Sequence, residues 1–238
     1  MNLNIKVKNY GKIICDILLE AIENLDSNLK CYEAIEFLND YIIRYYKEHN
    51  IFNVIKDDAA NQPAASVIMY SKKYNQIWLI GDCKALYGNS LIDNELEVDK
   101  LYTQIRVMII KYLIETGVSE NELLTDDIAC KFVSNLARRQ PYIRNKVYNS
   151  MYDYVAIDGF NKPSENLVKC IDVPNEVKEI VFASDGYMKP FSTLKQTEDF
   201  LQYIKKVDPL CYKEFQYEKA FYNEQDGYDD RAYIRFKI

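Results

Sequence analysis

The stretch Glu179-Ile-Val-Phe-Ala-Ser-Asp-Gly186 decides how the rest of the chain reads. Four apolar residues and a serine run straight into Asp-Gly, a strand that ends on a carboxylate. The glycine beside it leaves the backbone free for close approach. A second stretch, Gly227-Tyr-Asp-Asp-Arg-Ala-Tyr-Ile-Arg-Phe236, uses the same device in reverse, a tight turn delivering Asp229 and Asp230 into an alternating strand. Carboxylate oxygens held on rigid strand ends suit magnesium and manganese. Asp185 and Asp229 are therefore the leading candidate metal ligands, with Gly186 and Asp230 as supporting neighbours.

Composition narrows the function classes. The chain has 238 residues, 48% of them hydrophobic and 28% charged, enough for a sizeable core and too apolar for disorder. A net charge of −6 removes the general electrostatic footprint of a nucleic-acid binder. The local exception, Ala137-Arg-Arg-Gln-Pro-Tyr-Ile-Arg144, reads as a solvated helix end rather than as a phosphate or partner site. No run approaches the roughly 20 apolar residues of a membrane helix. The first eight residues lack the apolar core of a signal peptide. Six scattered cysteines without a Cys-x-x-Cys pair read as reduced, mostly buried thiols of a cytoplasmic protein.

Helical spacing runs from Tyr10 to Leu25, with Ile13, Ile14, Ile17, Leu18, Ala21 and Ile22 on one face, and again from Tyr32 to Glu48. The stretch from Asn50 to Pro63 reads as a loop. The period then changes. Ala65–Tyr70 and Gln76–Ile80 flank a hairpin, and Lys84–Tyr87 reads as a third strand reached through Gly81-Asp82. Helices are predicted over 95–116 and 125–138, with Ser119 and Thr125 as N-caps. Strands follow at Tyr152–Ile157, Leu167–Ile171 and Ile180–Ala183, then helices at 194–206 and 209–221, then a strand at Arg231–Lys237. Trp78, in a strand apolar on both faces, is expected inside. With no linker rich in Pro, Gly or Ser, residues 1–238 read as one α+β domain of antiparallel sheets with helices outside.

The excluded chemistry is as informative. The single histidine, His49, reads as a helix C-terminal residue beside the negative end of the dipole. No nucleophile motif accompanies it, and zinc sites built from Cys and His have no support. Seven glycines form no phosphate-cradling loop. Carboxylates are what an active site here has to work with.

Three segments together resemble the metal-dependent type 2C serine/threonine protein phosphatases. Ile77-Trp-Leu-Ile-Gly-Asp-Cys-Lys-Ala-Leu-Tyr87 is similar to the family's Gly-Asp-Ser-Arg stretch and its following strand, with Cys83 and Lys84 in place of serine and arginine. Val181-Phe-Ala-Ser-Asp-Gly186 resembles the apolar-Ala-Ser-Asp-Gly motif. Gly227–Phe236 is similar to the terminal Gly-x-Asp-Asn-x-Thr strand, with Asp230 where asparagine is usual. The resemblance implies an αββα sandwich over roughly residues 10 to 238. It implies that Asp185 and Asp229 are ligands of a binuclear magnesium or manganese centre, and that Asp82 helps hold a further, weaker ion. Such a centre generates a hydroxide that attacks phosphate in line, with no phosphoenzyme.

The family's two leading motifs, which supply a phosphate-gripping arginine and the aspartate bridging both ions, precede the first helix. Here nine residues precede it, none acidic, and Asp16 falls inside the helical repeat as a surface residue. Two dications a few ångströms apart repel strongly without a bridging carboxylate. The expectation is therefore a phosphatase-like domain for pSer/pThr phosphoproteins with an incomplete centre, weakly active or inactive, holding one loose magnesium or manganese ion at most. The alternatives are an active phosphatase whose missing ligand comes from upstream or from another residue, and a pseudophosphatase that binds a regulatory partner without turnover. Leu3–Val7 alternates and reads as an edge strand.

Overall fold

Apolar residues three and four apart make the first two helices, and the later change of period makes strands. In chain order the elements are α1 (Tyr10–Glu23), α2 (Cys31–Glu48), α3 (Phe52–Ile55), β1 (Val67–Ser71), β2 (Gln76–Ile80), β3 (Lys84–Tyr87), β4 (Ser90–Asp93), α4 (Glu97–Glu115), α5 (Glu120–Thr125), α6 (Ile128–Ala137), β5 (Lys169–Asp172), β6 (Glu179–Ala183), α7 (Leu194–Val207) and β7 (Tyr233–Lys237). This computed structural model describes residues 10–222 and 227–238. It is α+β with two antiparallel sheets, β1-β2-β5 and β4-β3-β6-β7. The expected strand over Leu3–Val7 lies outside the described residues. Contacts divide the chain into two units, one running up to Gly81 and resuming at Pro141–Val173, the other formed by Asp82–Gln140 and Pro174–Ile238.

The first unit packs the apolar stripes of α1 and α2 with the sheet β1-β2-β5 into one core, including Ile14, Ile17, Leu38, Ile42, Trp78 and Ile80. Trp78 is 4% exposed, and its indole N–H donates to Gln76 Oε1 at 3.1 Å. Apolar burial of this kind contributes about 25 cal/mol per Å² removed from water. Gly81 closes β2 at φ +94, where an added Cβ would lie 2.1 Å from Ser66 Oγ. Only glycine fits there.

The predicted strand at Tyr152–Ile157 does not form. Ile157 makes an isolated antiparallel bridge to Ala65, and the rest is irregular. The reason is a side chain standing in for a strand. Asn145 accepts from the Ala156 N–H at 3.0 Å and donates to the Ala156 carbonyl at 2.8 Å. Asn145 also donates to Asp158, which is fully buried and ion-paired to Arg144 at 2.9 Å. Arg144 is thus a buried structural residue, not part of a solvated helix end.

In the second unit, β6 pairs β3 on one side and β7 on the other, and Ile180, Val181, Phe182 and Ala183 are all buried. Ser119 caps α5 by accepting from the Glu122 N–H, and Glu122 reaches back to complete a capping box. The predicted helix over 125–138 begins only at Ile128, because Asp127 rather than Thr125 caps it, accepting from the Cys130 N–H at 2.7 Å. β4 was not anticipated.

The predicted helix over 209–221 is absent. Asp208 accepts from the N–H groups of Tyr212, Lys213 and Phe215 at 3.1, 2.8 and 3.1 Å. Cys211 adopts φ +50 in the same turn. Donors that a helix would bond internally go to one carboxylate instead. Arg106, fully buried and ion-paired to Asp127, fixes this segment further by donating to the carbonyls of Leu210 (2.8 Å) and Tyr217 (3.0 Å).

Replacing Arg144 with alanine strands a buried carboxylate on Asp158. The expected cost is about 3–5 kcal/mol, read from the urea midpoint. A loss under about 1 kcal/mol would show that Asn145 and the backbone suffice for Asp158.

Candidate functional site

Register places the candidate residues. Ala183 pairs with both Lys84 and Tyr233, so β3 begins, β6 ends and β7 begins at one end of the four-stranded sheet. Asp82 lies just before β3, Asp185 just after β6, and Asp229 in the turn leading to β7. Ser184 extends the pairing, its N–H donating to the Ala232 carbonyl at 3.0 Å. Gly186 then passes so close to the next turn that an added Cβ would lie 2.2 Å from the Asp230 carbonyl oxygen. That approach accounts for the glycine after Asp185.

Two residues that sequence reasoning did not single out join this end. Asp99 lies in the first turn of α4, and Glu218 in the irregular segment held by Asp208 and Arg106. Asp82, Asp99, Asp185 and Glu218 line one small cavity of about 30 Å³, with Lys84 and Tyr217 in its wall. Lys84 is bound elsewhere, donating to both oxygens of Asp93 at 2.6 and 2.7 Å. The Tyr217 hydroxyl donates to the Asp185 carbonyl at 3.3 Å.

Partial burial of like charges governs the electrostatics. Burial first, then Asp82 and Asp229, push Asp185 up to about 7. Burial first, then Glu218 and Asp82, push Asp99 up to about 7, against a hydrogen bond from Gln140. Burial also raises Glu218. Asp99, Asp185 and Glu218 thus hold a proton more tightly than they would in water, and the group favours any cation that arrives.

A cation is already present. Lys219 Nζ forms an ion pair with Asp229 Oδ2 and lies 3.7 Å from Glu218 Oε1. Burial pulls this ammonium down, but Asp229, Glu218 and Asp185 outweigh it and the net shift is upward. The other oxygen of Asp229 accepts from the Asp230 N–H at 2.9 Å. Asp229 does not line the small cavity; it opens onto a separate groove with Tyr187, Glu198 and Arg231.

The donors are hard oxygens of the kind magnesium and manganese take. Both oxygens of Asp229 nevertheless already have partners, Lys219 on one and the Asp230 N–H on the other. Among the described residues no group of three or more His, Cys, Asp and Glu side chains is set to hold a metal ion.

The other candidates lie elsewhere. Asp16 is exposed on α1. His49 caps the C-terminus of α2, where its Nδ1 is 2.9 Å from the Tyr45 carbonyl oxygen and its ring stacks on Tyr45. Comparison with protein-family models and with curated proteins gives no match for this chain.

Asp99 and Asp185 bind protons in the folded chain that the unfolded chain releases. Stability should therefore fall as pH rises through the window between their ordinary value of 3.8 and about 7. Urea midpoints from about pH 5 to 7.5 sample this window, above the range where the lowered carboxylates Glu120, Glu122, Glu179 and Glu198 would act in the opposite direction. The expected loss is on the order of 2 kcal/mol, with Asp99→Asn flattening the slope. An unchanged slope in that variant would remove Asp99 from the coupled group.

Proposed function

We propose that this chain is a type 2C-like protein phosphatase domain of the pSer/pThr class with an incomplete magnesium or manganese centre, weakly active or inactive as a hydrolase. The observation that supports the reading is the meeting of Asp82, Asp185 and Asp229 at one end of the sheet, with Lys219 engaged on Asp229. The first half fits the resemblance, in which strand-end aspartates share a metal site. The second half argues against turnover. A binuclear centre must hold two ions close together to activate water, and one of its carboxylates here is neutralised by an ammonium.

The same observation favours a second reading, a pseudophosphatase that binds a phosphoprotein or a regulatory partner without hydrolysis. Lys219 already sets a positive charge against Asp229 and Glu218 at this end of the sheet. The cytoplasm is the proposed location, where reducing conditions keep six thiols out of disulfides. Among the described residues no helix is long and apolar enough to cross a membrane.

Hydrolysis of an aryl phosphate with manganese tests the reading directly. Turnover is expected at or near the uncatalysed background. A rate on the order of 1 per second or more would overturn the incomplete-centre reading and require a ligand from elsewhere, with Asp16→Asn the first variant to measure.

A further inference from the structure

We propose that Lys219 is a built-in counter-cation, a tethered ammonium that takes the place of a divalent ion among the carboxylates at this end of the sheet and holds the metal affinity of the chain down. The inference rests on the reading of Asp82, Asp185 and Asp229 as a metal-type cluster and adds the residue that keeps the cluster from loading.

Three observations carry it. The ammonium of Lys219 sits on Asp229 Oδ2, a candidate metal ligand, and also faces Glu218. The remaining oxygen of Asp229 accepts from the Asp230 N–H, so the carboxylate that meets Lys219 is held at both ends. The lysine is delivered by a fixed backbone. Arg106 holds the Tyr217 carbonyl, the Phe221 N–H donates to the Pro209 carbonyl at 2.9 Å, and Ala220 and Phe221 are buried. Lys219 lies between these anchors, so its charge is presented at high effective concentration at all times. Lys84, which lines the small cavity, is ion-paired to Asp93.

A free ion must displace this ammonium to reach Asp229. It gains two charges' worth of attraction to the carboxylates, but it also meets the repulsion of the ammonium it displaces. Removing the lysine should therefore make the chain a better metal binder, the reverse of what deleting a ligand does.

Titration calorimetry with manganese(II) alone, on the wild-type chain, Lys219→Met and Lys219→Arg, tests this. Lys219→Met should bind at least roughly tenfold more tightly than wild type, and adding Asp185→Asn to it should abolish the gain. Lys219→Arg keeps the charge and should bind no better than wild type. Equal, measurable affinity in wild type and Lys219→Met would overturn the role of Lys219 and leave the metal reading standing. No binding by either up to millimolar manganese would overturn the metal reading, and this inference with it. Tighter binding by Lys219→Arg would show that shape, not charge, matters, and would also overturn the proposal. Should Lys219→Met unfold without metal, its melting temperature is read with and without manganese. Recovery on adding manganese supports the exchange of one cation for another, and no recovery overturns it.

Discussion

Carboxylates gathered where water is partly excluded repel one another unless a positive charge is set among them, and the end of the four-stranded sheet is built around that constraint. The register of β3, β6 and β7 leaves no freedom in the matter. Once Ala183 pairs with Lys84 and Tyr233, the residues just outside those strands must approach one another, and they include Asp82, Asp185 and Asp229. α4 adds Asp99, and the segment after α7 adds Glu218. Protons relieve part of the repulsion, which is why burial and neighbouring charge raise both Asp99 and Asp185 to about 7. Lys219 relieves another part. The site is a balance among protons, one ammonium and whatever cation the solution offers.

The strands that place Asp82, Asp185 and Asp229 were legible because apolar runs ending on Asp-Gly or Asp-Asp leave few alternatives. α1 and α2 were legible for the same kind of reason, since Ile14, Ile17, Leu38 and Ile42 keep helical spacing and all of them reach the core. What failed was local competition by side chains. Asp208 and Asn145 each satisfy backbone groups that a helix or a strand would otherwise have satisfied, and so erase an element whose periodicity looked sound. Asp99, Glu218 and Lys219 were illegible for a related reason. Charged residues on predicted helices are assigned to the solvent face, and nothing local in Tyr217-Glu218-Lys219 signals that the stretch is irregular and that Glu218 lines a cavity.

The two failures are connected. The missing helix over 209–221 is the segment that carries Glu218 and Lys219 to the acidic end of the sheet. As a helix its side chains would fan out at 100° intervals, and adjacent residues could not both face one site. Irregular backbone allows it, provided its own donors and acceptors are satisfied. Asp208 supplies the acceptor and Arg106 the donors, and Arg106 is in turn neutralised by Asp127. One buried ion pair and one buried carboxylate, neither of them at the site, therefore permit a conformation in which a glutamate and a lysine side by side come to the acidic end of the sheet.

That arrangement changes what the strand-end motifs mean. An Asp-Gly turn beside an Asp-Asp turn is a geometry that collects cations, and its sequence signature does not specify which cation. A divalent ion comes from solution, is strongly hydrated and leaves when its concentration falls. An ammonium on the same chain brings a single charge, asks for no fixed coordination number and is never depleted. The first suits a centre that must activate water; the second suits a surface that must stay folded and carry a steady charge. With Asp229 held by Lys219 on one oxygen and by the Asp230 N–H on the other, the balance we propose for this chain falls on the second side.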